Sequence, residues 1–121
     1  MYIESNAPII TLTKGDTIRT PIFINKGTKL KPLRYRLQED DYLYFGIFEP
    51  NKHFENSIVR KKYDMNSPVN EYGDVIIELD PKDTEFLRRG TYYYCVKLRQ
   101  FDDEGVEYVT TVIPPTLFYI V

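Results

Sequence analysis

The run from Asp80 to Phe101, DPKDTEFLRRGTYYYCVKLRQF, restricts the fold of this chain more than any other segment. Asp80, Pro81 and Asp83 read as an N-cap, a first-turn proline and an acid at a helix N-terminus, with Gly90 as the stop. That pattern predicts one short helical turn near residues 81–88. Beyond Gly90, Tyr92, Tyr94, Val96 and Leu98 alternate with Thr91, Tyr93, Cys95, Lys97 and Arg99. Period-two alternation over so long a run requires an extended strand, with Tyr92, Tyr94, Val96 and Leu98 on its core face. A strand, a turn of helix and a long aromatic strand form a corner at which a chain passes from one sheet to another.

The rest of the chain divides into short strands about this corner. Ile9–Leu12 is followed by the turn Lys14-Gly15-Asp16, and Thr17–Asn25 by Lys26-Gly27. In Thr17–Asn25 the residues Ile18, Thr20, Ile22 and Ile24 share a face, and Pro21 removes a ladder donor, which marks an edge strand or a bulge. A weak strand is expected at the centre of Thr28–Asp41. Tyr42–Glu49 is apolar on both faces, as suits a strand covered on both sides. Arg60, Lys61 and Lys62 place Ser57–Tyr63 at a solvent-exposed edge. Asp64–Gly73 is a polar connection, and Asp74–Leu79 directs Val75, Ile77 and Leu79 inward. Asp102–Gly105 is a hairpin loop whose glycine takes a left-handed conformation. Val106–Ile113 returns antiparallel, Pro114-Pro115 interrupts it, and Thr116–Val121 resumes. The expected fold is all-β: an immunoglobulin-like antiparallel β-sandwich of seven or eight strands in a single domain over residues 1–121.

Composition narrows the function classes. A net charge of −2, with cations scattered among acids, leaves no basic footprint for nucleic acid. The single cysteine, Cys95, cannot form an intrachain disulfide, so the fold does not depend on an oxidising compartment, and synthesis in a cytoplasm is expected. The N-terminal residues lack the apolar core of a signal peptide, and no apolar run is long enough for a membrane helix.

No catalytic, cofactor-binding or metal-binding residues emerge. His53 is the only histidine and reads as a solvated loop residue. Cys95, on the strand face opposite the core tyrosines, reads as a structural thiol. The acidic clusters Glu39–Asp41 and Asp102–Glu104 lack the spacing of a calcium loop and read as turn solubilisation. The chain carries neither a phosphate-cradling glycine loop nor a nucleophile elbow, so an enzyme is not expected. Tyr44 and Tyr93 lie opposite the expected core faces, where they either anchor a partner or stack on a sugar, or else cover a second packing layer. The apolar terminus LFYI adds Phe118 and Tyr119 as candidate interaction residues, because exposed sheet edges recruit other strands.

Gly15-Asp16-Thr17 before an apolar strand, Tyr42–Pro50, Gly73-Asp74-Val75 and Leu87–Leu98 with its Gly-Thr-Tyr-Tyr-Tyr core carry a family resemblance. Together they resemble the immunoglobulin-like virion domains of tailed phages, and are most similar to the N-terminal domain of phage upper baseplate proteins. The similarity spans most of the chain but not the long C-terminal extension of receptor-binding baseplate proteins. It implies a non-enzymatic structural and interaction protein of a phage or prophage virion, made in the bacterial host cytoplasm. Self-association or other virion proteins would then be its partners. The alternative is a carbohydrate-binding module that uses surface tyrosines.

Overall fold

The computed structural model describes residues 2–121. Ten strands occur among them: β1 (Tyr2–Ser5), β2 (Ile10–Leu12), β3 (Ile18–Ile22), β4 (Ile24–Gly27), β5 (Pro32–Tyr35), β6 (Tyr42–Phe48), β7 (Val59–Tyr63), β8 (Val75–Leu79), β9 (Gly90–Phe101) and β10 (Glu107–Ile120). One helical turn, α1 (Pro81–Thr84), lies between β8 and β9. The strands form a five-stranded sheet in the order β2-β10-β9-β6-β7, a three-stranded sheet β1-β4-β5 and a pair β3-β8. The chain is all-β, as the alternation predicts, but the described residues form ten strands in place of the seven or eight expected. It is not purely antiparallel: β2 runs parallel to β10 at Phe118–Ile120. The chain crosses from the three-stranded to the five-stranded sheet between β1 and β2, and β2 lies along the C-terminal end of β10.

The apolar faces of the sheets share one core. Leu43, Phe45 and Ile47 of β6 and Tyr94, Val96 and Leu98 of β9 are buried in it, as period two requires. The Tyr94 ring lies 5.7 Å from Phe45 and meets Phe118 edge-on at 6.3 Å. Each fully buried side chain of this size contributes about 1.5–3 kcal/mol relative to exposure.

Several local expectations are corrected. Thr17–Asn25 is two strands broken at Phe23, because Asn6 bridges the backbone there: its amide donates to the Pro21 carbonyl at 2.9 Å and its Oδ1 accepts the Phe23 N–H at 3.0 Å. The two halves keep one inward face but join different sheets. Pro21 lies in β3, which pairs only with β8 among the described residues, in keeping with an edge position. The helical turn ends at Thr84 rather than at Gly90. The Asp80 N–H donates to the Asp83 carboxylate at 2.8 Å and so caps the start, but Leu87 is drawn into the core and bends the chain out of helix. Gly90 is instead the first residue of β9, at φ 156°. Pro114-Pro115 does not interrupt the last strand. β10 continues past the pair through register shifts at Thr111–Ile113 and Ile113–Thr116, where bulges accommodate the missing donors.

Candidate functional site

The outward face of the five-stranded sheet gathers most of the residues singled out in the sequence. Tyr42, Tyr44, Gly46 and Phe48 of β6 face outward, beside Tyr93, Cys95, Lys97 and Arg99 of β9. Tyr44 and Tyr93 are half-buried on this face, and so is Tyr119 of β10. Phe118 is not on it. With no exposed surface, Phe118 packs against Tyr94 in the core, because alternation with Leu117 and Tyr119 turns it inward. Its assignment as an interaction residue is thereby corrected.

The centre of the face is shaped by a glycine. A Cβ on Gly46 would overlap the Ser57 hydroxyl and lie 3.0 Å from the Phe54 ring. The connection after β6, with its 3-10 turn Phe54–Asn56, therefore folds back onto the sheet only because this strand position carries no side chain. Phe54 becomes a ridge with a groove on either side. One groove, of about 480 Å3, is bordered by Tyr44, Phe54, Glu55, Arg60 and Lys62. The other, of about 360 Å3, is bordered by Phe48, His53, Phe54, Tyr93 and Lys97, with Cys95 beneath. Phe48 and Tyr93 stack with ring centroids 6.3 Å apart.

Cations are layered on these rings. Lys62 Nζ sits 4.1 Å above the Tyr42 ring, and the Arg99 guanidinium lies 4.8 Å from the same ring and 5.1 Å from Phe101. Lys97 Nζ lies 5.0 Å from the Phe54 ring centre. Such contacts are worth about 0.5–1 kcal/mol each at exposed sites. Arg60 donates to the Ser57 and Glu55 carbonyls at 3.1 and 2.7 Å. Among the described residues, Arg60, Lys62 and Lys97 form no ion pair with a carboxylate, whereas Arg99 Nε lies 4.0 Å from Glu107. The face is aromatic and locally cationic on a chain of net charge −2.

Cys95 and exposed His53 border the same groove, a proximity that their distance in sequence hides. The thiol is only 2% exposed, and burial pushes it up from its ordinary value against the opposing influence of Lys97. It is a packed thiol and not an activated nucleophile. Of the acidic clusters, Asp102–Glu104 is exposed turn chemistry, with Asp102 accepting the Glu104 and Val106 N–H groups at 2.9 Å. Asp41 departs from that reading: it is buried and accepts hydrogen bonds from Tyr35, from the Gln38 N–H at 2.9 Å and from Gln100 at 3.3 Å. Among the described residues no group of three or more His, Cys, Asp or Glu is placed to hold a metal ion. No helix among them is long and apolar enough to cross a membrane.

Sequence reasoning missed Phe54 as the ridge and Tyr42, Lys62 and Arg99 as a stacked group. The signal available for the ridge was Gly46, a glycine inside an otherwise apolar central strand. Comparison with family models, curated proteins and solved structures finds no match.

Proposed function

We propose that this chain is a non-enzymatic interaction module, an immunoglobulin-like β-sandwich that serves as a building block of a phage or prophage virion, in its baseplate or tail. The observation that carries the interaction role is the outward sheet face, where Tyr44, Tyr93, Leu117 and Tyr119 remain half-buried at positions that polar residues would otherwise occupy. Two features support the immunoglobulin-like arrangement. The order β2-β10-β9-β6-β7, with β2 parallel to β10, is set against a separate β3-β8 pair. At the corner, the Tyr92 hydroxyl donates to the Arg88 carbonyl four residues upstream at 2.7 Å, in the manner of a tyrosine corner. The virion setting is supported by the resemblance of the Gly15-Asp16-Thr17 and Gly-Thr-Tyr-Tyr-Tyr segments to tailed-phage domains. Mass spectrometry of particles purified from the encoding strain tests it: the chain is expected at a fixed stoichiometry to the other particle proteins, and its absence overturns the reading.

A carbohydrate-binding module is the second reading, favoured by Tyr44 and Tyr93 each bordering a groove beside Phe54. Binding on a glycan array that is lost in both Tyr44→Ala and Tyr93→Ala would favour it over the first.

A further inference from the structure

The path of the N-terminal chain brings β1 close to β10, where the Ser5 hydroxyl reaches the Val112 carbonyl, but leaves part of β10 without a paired strand among the described residues. β1 pairs with β4 in the three-stranded sheet, whereas β2 pairs with β10 only at Phe118–Ile120. The segment between β1 and β2 crosses from one sheet to the other. Glu107–Thr111 therefore pairs with β9 on one side and, among the described residues, with no strand on the other.

The hairpin turn determines where the free backbone groups of this edge point. The Asp102 N–H donates to the Val106 carbonyl and the Gly105 N–H to the Asp102 carbonyl, both at 2.9 Å, so Asp102 and Val106 are the hydrogen-bonded closing pair. Hydrogen-bonded and non-hydrogen-bonded pairs alternate from there along an antiparallel ladder. Phe101–Glu107, Arg99–Val109 and Lys97–Thr111 are thus non-hydrogen-bonded pairs. The N–H and C=O groups of Glu107, Val109 and Thr111 consequently face away from β9, into the open edge.

Nothing in this edge repels an incoming strand. The opposite edge of the same sheet, β7, carries Arg60, Lys61 and Lys62, a row of like charges that discourages pairing. Glu107–Thr111 reads Glu-Tyr-Val-Thr-Thr, with no lysine, arginine or proline, and the register shifts begin only after Thr111. Phe101, Val106 and Val109 lie at the same hairpin, 41, 57 and 54% exposed.

We propose that Glu107–Thr111 is a homodimer edge, at which two copies pair antiparallel about a two-fold axis through Val109 and join their five-stranded sheets into one. The inference rests on the interaction-module reading, and not on its virion setting. The segment is self-complementary about that axis: Val109 meets its own counterpart, and Glu107 of each copy meets Thr111 of the other, so no like charges oppose each other. The open N–H and C=O groups then complete hydrogen bonds across the axis, and the exposed valines leave water.

Sedimentation over a concentration series, with amide hydrogen exchange followed by NMR, tests the pairing in the full chain. The weight-average mass is expected to rise from the 14.4 kDa of one chain toward twice that value. As it rises, the Glu107, Val109 and Thr111 amides become protected, whereas Tyr108 and Thr110, already bonded to β9, are protected throughout. Val109→Lys places like charges opposite each other at the axis, and Val109→Pro removes an outward N–H that β9 does not use. Both are expected to remain monomeric, while Lys29→Glu, at an exposed position in the turn between β4 and β5, associates as the unaltered chain does. A chain that stays monomeric at every concentration overturns the proposal. So does association undiminished in both Val109 variants, or protection of these three amides only when a different protein is added. A monomer still found in particles would overturn the dimer and leave the virion reading standing; a dimer absent from particles would do the reverse.

Discussion

The Tyr94 hydroxyl, at the centre of β9, donates to the Pro8 carbonyl at 2.5 Å, across 86 positions of sequence. It pins the segment that carries the chain from the three-stranded to the five-stranded sheet. Nearby, the Ser5 hydroxyl donates to the Val112 carbonyl at 2.9 Å, so the crossing is tied at two points to the strands it passes.

Tyr94→Phe keeps the ring and its packing against Phe45 and Phe118 but leaves the Pro8 carbonyl without this donor. Because Pro8 is half-buried and water reaches it in part, the loss should lie at the lower end of the about 1–3 kcal/mol that an unsatisfied buried acceptor costs. The urea midpoint is expected to fall accordingly with an unchanged slope; an unaltered midpoint would mean that water replaces the hydroxyl without loss.

Alkaline pH is expected to destabilise the fold between about 10 and 12. Burial pushes Tyr94 and Tyr63 up to about 12 from an ordinary value near 10. Because the folded state holds these protons more tightly, the stability they contribute is fully present below pH 10 and is lost as pH rises through 12. In Tyr63→Phe/Tyr94→Phe the decline of stability over that window should be shallower, as read from urea titrations at stepped pH.

Gly46→Val should destabilise by about 1–3 kcal/mol, since the added side chain overlaps Ser57 and presses on Phe54. The displacement should register as amide shift changes over residues 53–57. Unperturbed shifts there, with an unchanged thermal melt, would contradict the account of how the two grooves form.

Cys95 should not react with Ellman's reagent in the native state and should react on unfolding, because its thiol is buried and pushed up. Cys95→Ser should cost about 1 kcal/mol. Rapid labelling without denaturant would place the thiol in an open groove instead.

Much of the face assignment was legible in the residues. Tyr92, Tyr94, Val96 and Leu98 are buried, Gly105 takes its left-handed conformation at φ 80°, and Val75, Ile77 and Leu79 face inward, all as local patterning predicts. Tyr44 and Tyr93 were correctly placed off the core face. Phe118 was misassigned through its apolar neighbourhood, although its own alternation with Tyr119 pointed inward. Asp41 looked like one of three loop acids. Its burial depends on Tyr35 and on Gln100, 59 positions away, which no local pattern announces.

By itself, then, the sequence determined which side of each strand is apolar, where the turns fall and how the helical turn begins, because side-chain alternation, glycine torsions and caps depend on a few neighbouring residues. The tertiary structure alone decided that the chain changes sheets at Phe23 and after Ser5, that Phe54 lies down over Gly46, and that β2 runs parallel to β10. It also decided that Glu107–Thr111 keeps an open edge. Those outcomes concern which backbone N–H meets which distant C=O, and backbone groups are chemically alike at nearly every residue. Only the joint packing of side chains far apart in sequence selects among the pairings they allow.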